Sequence, residues 1–179
     1  MDSNYKIVYK INDNLLQQML ELDASVYKEE DSGVLEICKE WISVNDDIYT
    51  MLLHNNKVIG YINFMPITNE CYLGFVNGTK KDYEITSKDI VKFSKTEENK
   101  CLLTSVVLHE DYQNGEAIKY LCDGFIQKLK DYKKENIIIS TIILDCVSED
   151  GEKFAKYFLN AKLVKDLKTS KIYEGNLTI

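Results

Sequence analysis

The sequence is poor in the residues that mark several kinds of specialised chemistry. In 179 residues it has one proline, eight glycines and two histidines. His54 and His109 stand in no H-x-x-x-H spacing, and the five cysteines (Cys38, Cys71, Cys101, Cys122 and Cys146) include no C-x-x-C pair, so no metal site is expected. An odd, widely spaced set of cysteines reads instead as reduced, mostly buried thiols. Basic residues are in deficit, 22 Lys+Arg against 29 Asp+Glu for a net charge of −7. Nucleic acid is therefore not an expected partner, because phosphate neutralisation needs clustered cations. No apolar run approaches the roughly 20 residues of a membrane span, so no membrane partner is expected. The start, Met1 to Lys6, has neither the basic opening nor the apolar core of a signal peptide. These absences together predict a soluble, cytoplasmic protein, read as one domain over 1–179.

Apolar and aromatic residues are plentiful, 45% and 11% of the chain, which suits a continuous core. Alternation over Tyr5 to Ile11 predicts a strand. Asn12 or Asp13 caps a helix striped by Leu15, Leu16, Met19, Leu20 and Leu22. Beyond a polar stretch at 28–33, a second helix is expected to bury Val34, Leu35, Ile37, Cys38, Trp41 and Ile42. Two β-rich runs, 48–54 and 57–65, meet across Asn55-Asn56 as a hairpin, and Pro66 stops the second. Residues 68–99 read as an insertion between strands, with helical patterns at 69–76 and 86–93. A strand over 102–108, a helix over about 114–132 and an apolar strand over 137–144 form a parallel crossover unit. The run Lys128 to Glu135 reads as a basic helix end suited to the helix dipole, with no need of nucleic acid. A helix over about 149–161 and a hairpin of 163–167 with 171–179 close the chain. The fold class is α+β: a mixed, mostly antiparallel sheet with a central parallel pair and helices on both faces.

This order, with the segment Val106-Val107-Leu108-His109-Glu110-Asp111-Tyr112-Gln113-Asn114-Gly115-Glu116-Ala117-Ile118-Lys119, resembles the GNAT superfamily of acyl-CoA-dependent N-acyltransferases. In that family a strand ends in V-x-P-x-Y-Q/R, and then x-x-G-x-G/A and a basic residue open a helix. Leu108, His109, Asp111, Tyr112, Gln113 and Lys119 match in register. The proline position holds Glu110, and the two glycine positions hold Glu116 and Ile118. Shifted by one residue, Gly115 and Ala117 take the glycine positions, but Tyr112 then falls where Gln or Arg belongs. The Gly60-Tyr61 step in the preceding strand is also similar to the family.

The resemblance implies acetyl transfer from acetyl-CoA to the primary amine of a small molecule or peptide, with no metal. It implies a cofactor site formed by Val106, Val107, Leu108, Gln113, Asn114, Gly115, Glu116, Ala117, Ile118 and Lys119. The pyrophosphate would face the helix N-terminus, and an oxyanion would be met by backbone near Val107 or Leu108. It also implies a gap opening between the C-terminal ends of the parallel strands. Tyr157, the only Tyr of the final helix, is the candidate acid; Glu110 and Asp145, at the two strand ends, are candidate bases. A second reading keeps the fold without turnover, as a protein that binds a ligand or a protein partner. A homodimer is compatible with either.

Overall fold

The computed structural model describes residues 4–26, 34–113 and 115–176. One seven-stranded sheet runs through it in the order β1-β2-β3-β4-β5-β7-β6. The strands are β1 (Tyr5–Val8), β2 (Tyr49–His54), β3 (Lys57–Pro66), β4 (Asn99–Leu108), β5 (Ile139–Cys146), β6 (Lys162–Asp166) and β7 (Lys171–Gly175). Only β4 and β5 run parallel, and the remaining neighbours are antiparallel. A parallel pair needs a long crossover, which here is the 19-residue helix α4 (Glu116–Lys134). The β2–β3 turn places Asn55 and Asn56 at φ 50° and 63°. Asn tolerates this left-handed backbone, whose twist matches that of the strands it joins.

Alternation along the strands assigns the layers. Tyr61, Met65 and Leu102 pack with Leu16, Met19 and Leu22 of α1 (Asp13–Val26), Cys38 of α2 (Leu35–Val44) and Cys71 and Phe75 of α3 (Asn69–Asn77). Ile62, Phe64 and Leu103 pack on the other face with Ala117, Leu121, Phe125 and Leu129 of α4. Each fully buried Leu or Phe contributes about 1.5–3 kcal/mol relative to leaving it exposed. The sheet is thus covered on both faces.

Several expectations from sequence need correction. Residues 86–93 form no helix. Asp89 Oδ2 instead accepts from Thr86 N and Oγ1 at 2.8 and 3.0 Å, Asp89 Oδ1 pairs with Lys80 at 2.9 Å, and Ile90 bridges Ile67. On α2, Val34 and Ile37 are 50% and 39% exposed rather than buried, because they face a cavity. Ile138 is exposed and Ile139 half-buried, so of the apolar run only Ile137, Ile142, Ile143 and Leu144 are buried. The final helix is a single α segment, α5 (Glu149–Lys153), followed by a π turn over Phe154–Phe158 in which Leu159 N bonds Phe154 O. The α4 cap is Gly115; Asn114, where the sequence starts this helix, and the polar stretch 28–33 lie outside the described residues.

Lys128 is the largest departure. It is 5% exposed, and its Nζ donates to the carbonyls of Asp47 and Tyr49 at 2.7 and 2.9 Å and pairs with Asp47 Oδ1 at 3.1 Å. Burial pushes its ammonium pKa down to about 8, against the pull of Asp47.

Candidate active site

The parallel pair is a fork. β4 and β5 are paired from Asn99/Ile139 to Leu103/Leu144 and no further. β4 continues to Leu108 on β3 alone, while Asp145 and Cys146 pair with β7. A bulge starts the divergence: Asn63 pairs with Ser105 and Phe64 with Leu103, so Thr104 is an extra residue. Its Oγ1 donates to Asn63 Oδ1 at 2.6 Å. A bulge bends a strand and increases its twist. It also reverses which face the next residues take. Leu102 and Val107, of opposite parity, share one face, and Cys101 and Leu108 share the other. Gly60 lies opposite Leu108, where a Cβ would come within 2.7 Å of the Leu108 side chain and 2.9 Å of Val107 O. Only glycine lets the two strands approach this closely there.

Behind the fork, on the α1–α2 face, is a cavity of about 640 Å³. Thr104, Ser105 and Asp145 form its sheet wall, Met19, Ile37 and Trp41 an apolar wall, and Lys81, Asp82 and Ser170 its far side. The Asp145 side chain is 4% exposed, and its Oδ2 lies 3.5 Å from Lys81 Nζ. Among the described residues, Asp145 Oδ1 is buried without a hydrogen-bond partner. Lys81 Nζ also donates to Ser170 Oγ at 2.8 Å. Burial raises the Asp82 pKa, and the charge of Asp145 adds to the shift. Deeper in, Tyr61 OH donates to the buried Asp23 carboxylate. Among the described residues of the lining, three carboxylates stand against one ammonium, an acidic balance.

The other side of the fork is open by contrast. After Leu108 comes one 3₁₀ turn, Glu110–Tyr112, in which His109 Nδ1 accepts from Asp111 N at 3.3 Å. Gln113 Nε2 donates back to Leu108 O at 3.3 Å. Gly115 has φ 148°, and a Cβ there would meet nothing within 4 Å. Glu116 and Lys119 are exposed, Ala117 is buried and Ile118 half-buried, while Val107 and Leu108 are buried in the strand and Val106 is half-buried. The chain has no arginine, so any bidentate clamp on a phosphate is excluded and Lys119 is the basic group of the loop.

Of the three candidate catalytic side chains, the structure brings only Asp145 to the cavity. Glu110 is exposed and outside its walls, and Tyr157, in the π turn, is 85% exposed and also outside them. Lys81, Asp82, Ser170, Asp23, Tyr61 and Thr104 carried no signal as site residues in the sequence. Lys81 and Asp82 belong to the segment read as an insertion, and Asp23 sat at the end of an ordinary amphipathic helix. Among the described residues no group of three or more His, Cys, Asp or Glu is placed to hold a metal ion. No described helix is long and apolar enough to cross a membrane.

No protein-family model matches the chain. No curated protein matches it either. Solved structures do. Naa50 of Arabidopsis thaliana, in complex with the bisubstrate analogue CoA-Ac-MVNAL, superposes with a TM-score of 0.62 at 11% identity over 97% of this chain and 99% of its own. The chain has the GNAT fold. The PaiA N-acetyltransferase of Thermoplasma acidophilum, in complex with coenzyme A, is similar at a TM-score of 0.57 and 17% identity over 97% and 99% of the two chains. A GNAT-family acetyltransferase of Staphylococcus aureus Mu50 gives 0.58 and 16% over 97% and 99%. The element order and parallel pair expected from the GNAT resemblance are present, and the gap expected between the strand ends is the fork.

Proposed function

We propose that the protein is an acetyl-CoA-dependent N-acetyltransferase acting on a primary amine. The carrying observation is the fork: beyond Leu103/Leu144, β4 offers backbone groups that no strand occupies, beside a cavity holding a buried carboxylate with an unpartnered oxygen. A thioester arm laid in the fork takes hydrogen bonds from β4, as a missing strand would. The N–H groups that open α4 and the helix dipole meet the pyrophosphate next to Gly115, whose open surroundings admit a close approach. When bound, acetyl-CoA supplies the activated acetyl group. Asp145 receives the proton of the incoming amine, and backbone N–H near Val107 and Leu108 meets the developing oxyanion. Tyr157 on its exposed turn is the group assigned to protonate the departing thiolate, with Glu110 as the outer carboxylate. The acidic cavity favours a cationic acceptor, small molecule or peptide.

Melting the protein with and without 1 mM acetyl-CoA, then following thiol release with a panel of primary amines, tests this. A raised melting temperature and amine-dependent thiol release are expected. No shift and no release would overturn the reading. A shift without release for any amine favours the second reading, a GNAT-fold binding protein without turnover. The observation behind that alternative is Glu116, a carboxylate in the first turn of α4 where an anion would sit.

A further inference from the structure

Lys81 is the only amine among the described residues that line the cavity. Its Nζ is held from two sides, by Asp145 Oδ2 at 3.5 Å and Ser170 Oγ at 2.8 Å. Both partners come from the sheet side, one at the tip of β5 and one just before β7, whereas Lys81 arrives from the segment between β3 and β4. Its side chain is 23% exposed, and that of Asp145 only 4%. The bulge residues Thr104 and Ser105 line the same cavity. The ammonium of Lys81 therefore occupies the place that the reading above gives to an acceptor amine, against the same carboxylate and in the same space as the fork.

We propose that Lys81 is itself an acetyl acceptor, so that the protein acetylates its own side chain at this position. The inference rests on the acetyl-CoA reading and adds a modification site to it. Asp145 Oδ2, 3.5 Å from Nζ, is placed to accept a proton from the Lys81 ammonium. The neutral Nζ then attacks the thioester carbonyl carbon. A C–N bond forms, the C–S bond breaks and the thiolate leaves, taking up a proton. The balance is one ammonium and one acetyl thioester giving one acetamide, one thiol and one released proton. The charge pair is lost with the amine, which leaves Asp145 and Asp82 facing the cavity without a cation between them. A self-acetylated cavity is thus more acidic than the unmodified one, and its attraction for an external cation increases.

The test is mass spectrometry of the full chain incubated with acetyl-CoA, with peptide mapping of the modified lysine. The expected result is one added acetyl group, 42 Da, at Lys81 at substoichiometric enzyme-independent background elsewhere. The reaction should be first order in protein–cofactor complex, with a rate constant independent of protein concentration, as an intramolecular step requires. Lys81→Arg keeps the charge and should abolish the single addition; Asp145→Asn should slow it at least tenfold. Acetylation spread over exposed lysines such as Lys153, with Lys81 no faster than they are, overturns the proposal. Acetyl-CoA that raises the melting temperature and acetylates an external amine while Lys81 stays unmodified overturns it too, and leaves the acetyltransferase reading standing. Failure of acetyl-CoA to shift the melting temperature at all instead removes the reading on which it rests.

Discussion

The two sides of the fork are built differently. On the cavity side, five polar side chains from four separate segments converge: Asp23, Lys81, Asp82, Asp145 and Ser170, backed by an apolar wall. On the α4 side there is one 3₁₀ turn, one glycine and a helix start whose Glu116 and Lys119 both point into solvent-exposed surroundings. Backbone can hold a phosphate at a helix N-terminus with little help from side chains. An amine and its proton need side chains at fixed positions. On the function proposed above, the cavity side is the specific half of the site, and the α4 side would rely on main-chain geometry that glycine and helix propensity supply.

Substitutions on the two sides should separate accordingly. The largest effect is expected at Asp145: Asp145→Asn keeps the shape, removes the proton acceptor and should lower turnover by about a hundredfold or more. Steady-state kinetics should show this in kcat with acetyl-CoA affinity unchanged; equal loss of both would make Asp145 a structural residue. Next comes Tyr157→Phe, for which a loss of about ten- to a hundredfold in turnover is expected if the phenol supplies the thiolate proton. Unaltered turnover would return Tyr157 to the surface it occupies. On the phosphate side, Glu116→Gly should tighten acetyl-CoA binding by about tenfold or less, since two charges roughly 6 Å apart interact by a few kcal/mol before solvent and salt screen them. The same change costs α4 up to about 1 kcal/mol of stability. Calorimetric titration reads the first effect and the melting temperature of the free protein reads the second. Affinity that does not improve would show that the carboxylate stays clear of the phosphates.

The smallest effect lies at Lys128, away from both sides, and serves as a reference for them. Its folded pKa of about 8 is below the unfolded value, so below pH 8 both states carry the proton and the burial cost is fully present. Between about pH 8 and 10.4 the unfolded chain keeps the proton and the folded one has lost it, so this group's contribution to stability rises with pH. Buried thiols act oppositely: burial raises the pKa of Cys71 to about 12 and that of Cys101 well above its ordinary value, so ionisation of the unfolded thiols costs stability above about pH 8.5. Comparing the parent with Lys128→Met cancels the thiols. From pH 7.5 to 9.5 the difference in melting temperature should move by roughly 5 °C in favour of the parent. A constant difference would place the ionisation of Lys128 at its ordinary value.

Much of the fold could be read in the sequence because its signals are periodic. The stripes of α1 and α4, the alternation of β2 and β3 and the Asn55-Asn56 turn each follow from spacing alone. The site was less legible. Asp145 is visible as a carboxylate at the end of a buried strand, but the Thr104 bulge is a matter of register, and register leaves no mark in residue type. Lys81 lies in a stretch without periodicity, where only the tertiary fold decides what it meets. Lys128 was hidden among Lys130, Lys133 and Lys134; its burial comes from the Asp47 and Tyr49 carbonyls, 81 and 79 residues away. The π turn around Tyr157 takes one residue more than an α turn, and nothing in Phe154 to Phe158 announces it.

The Lys81–Ser170 hydrogen bond has a consequence for the order in which the molecule assembles. Its partners are 89 residues apart, and the nearby bond from Tyr72 OH to Glu174 Oε2 at 2.6 Å spans 102. Contacts this distant close large loops, which is slow compared with forming α1 or the β2–β3 hairpin. The cavity is therefore completed only when β7 docks beside β5. A nascent chain that has made the first five strands has the fork, Lys81 and Asp82 but lacks Ser170 on the far wall. Protection of the Ile172 and Tyr173 amides from hydrogen exchange during refolding should thus appear together with amine-dependent activity, after the amides of β2 and β3 are already protected.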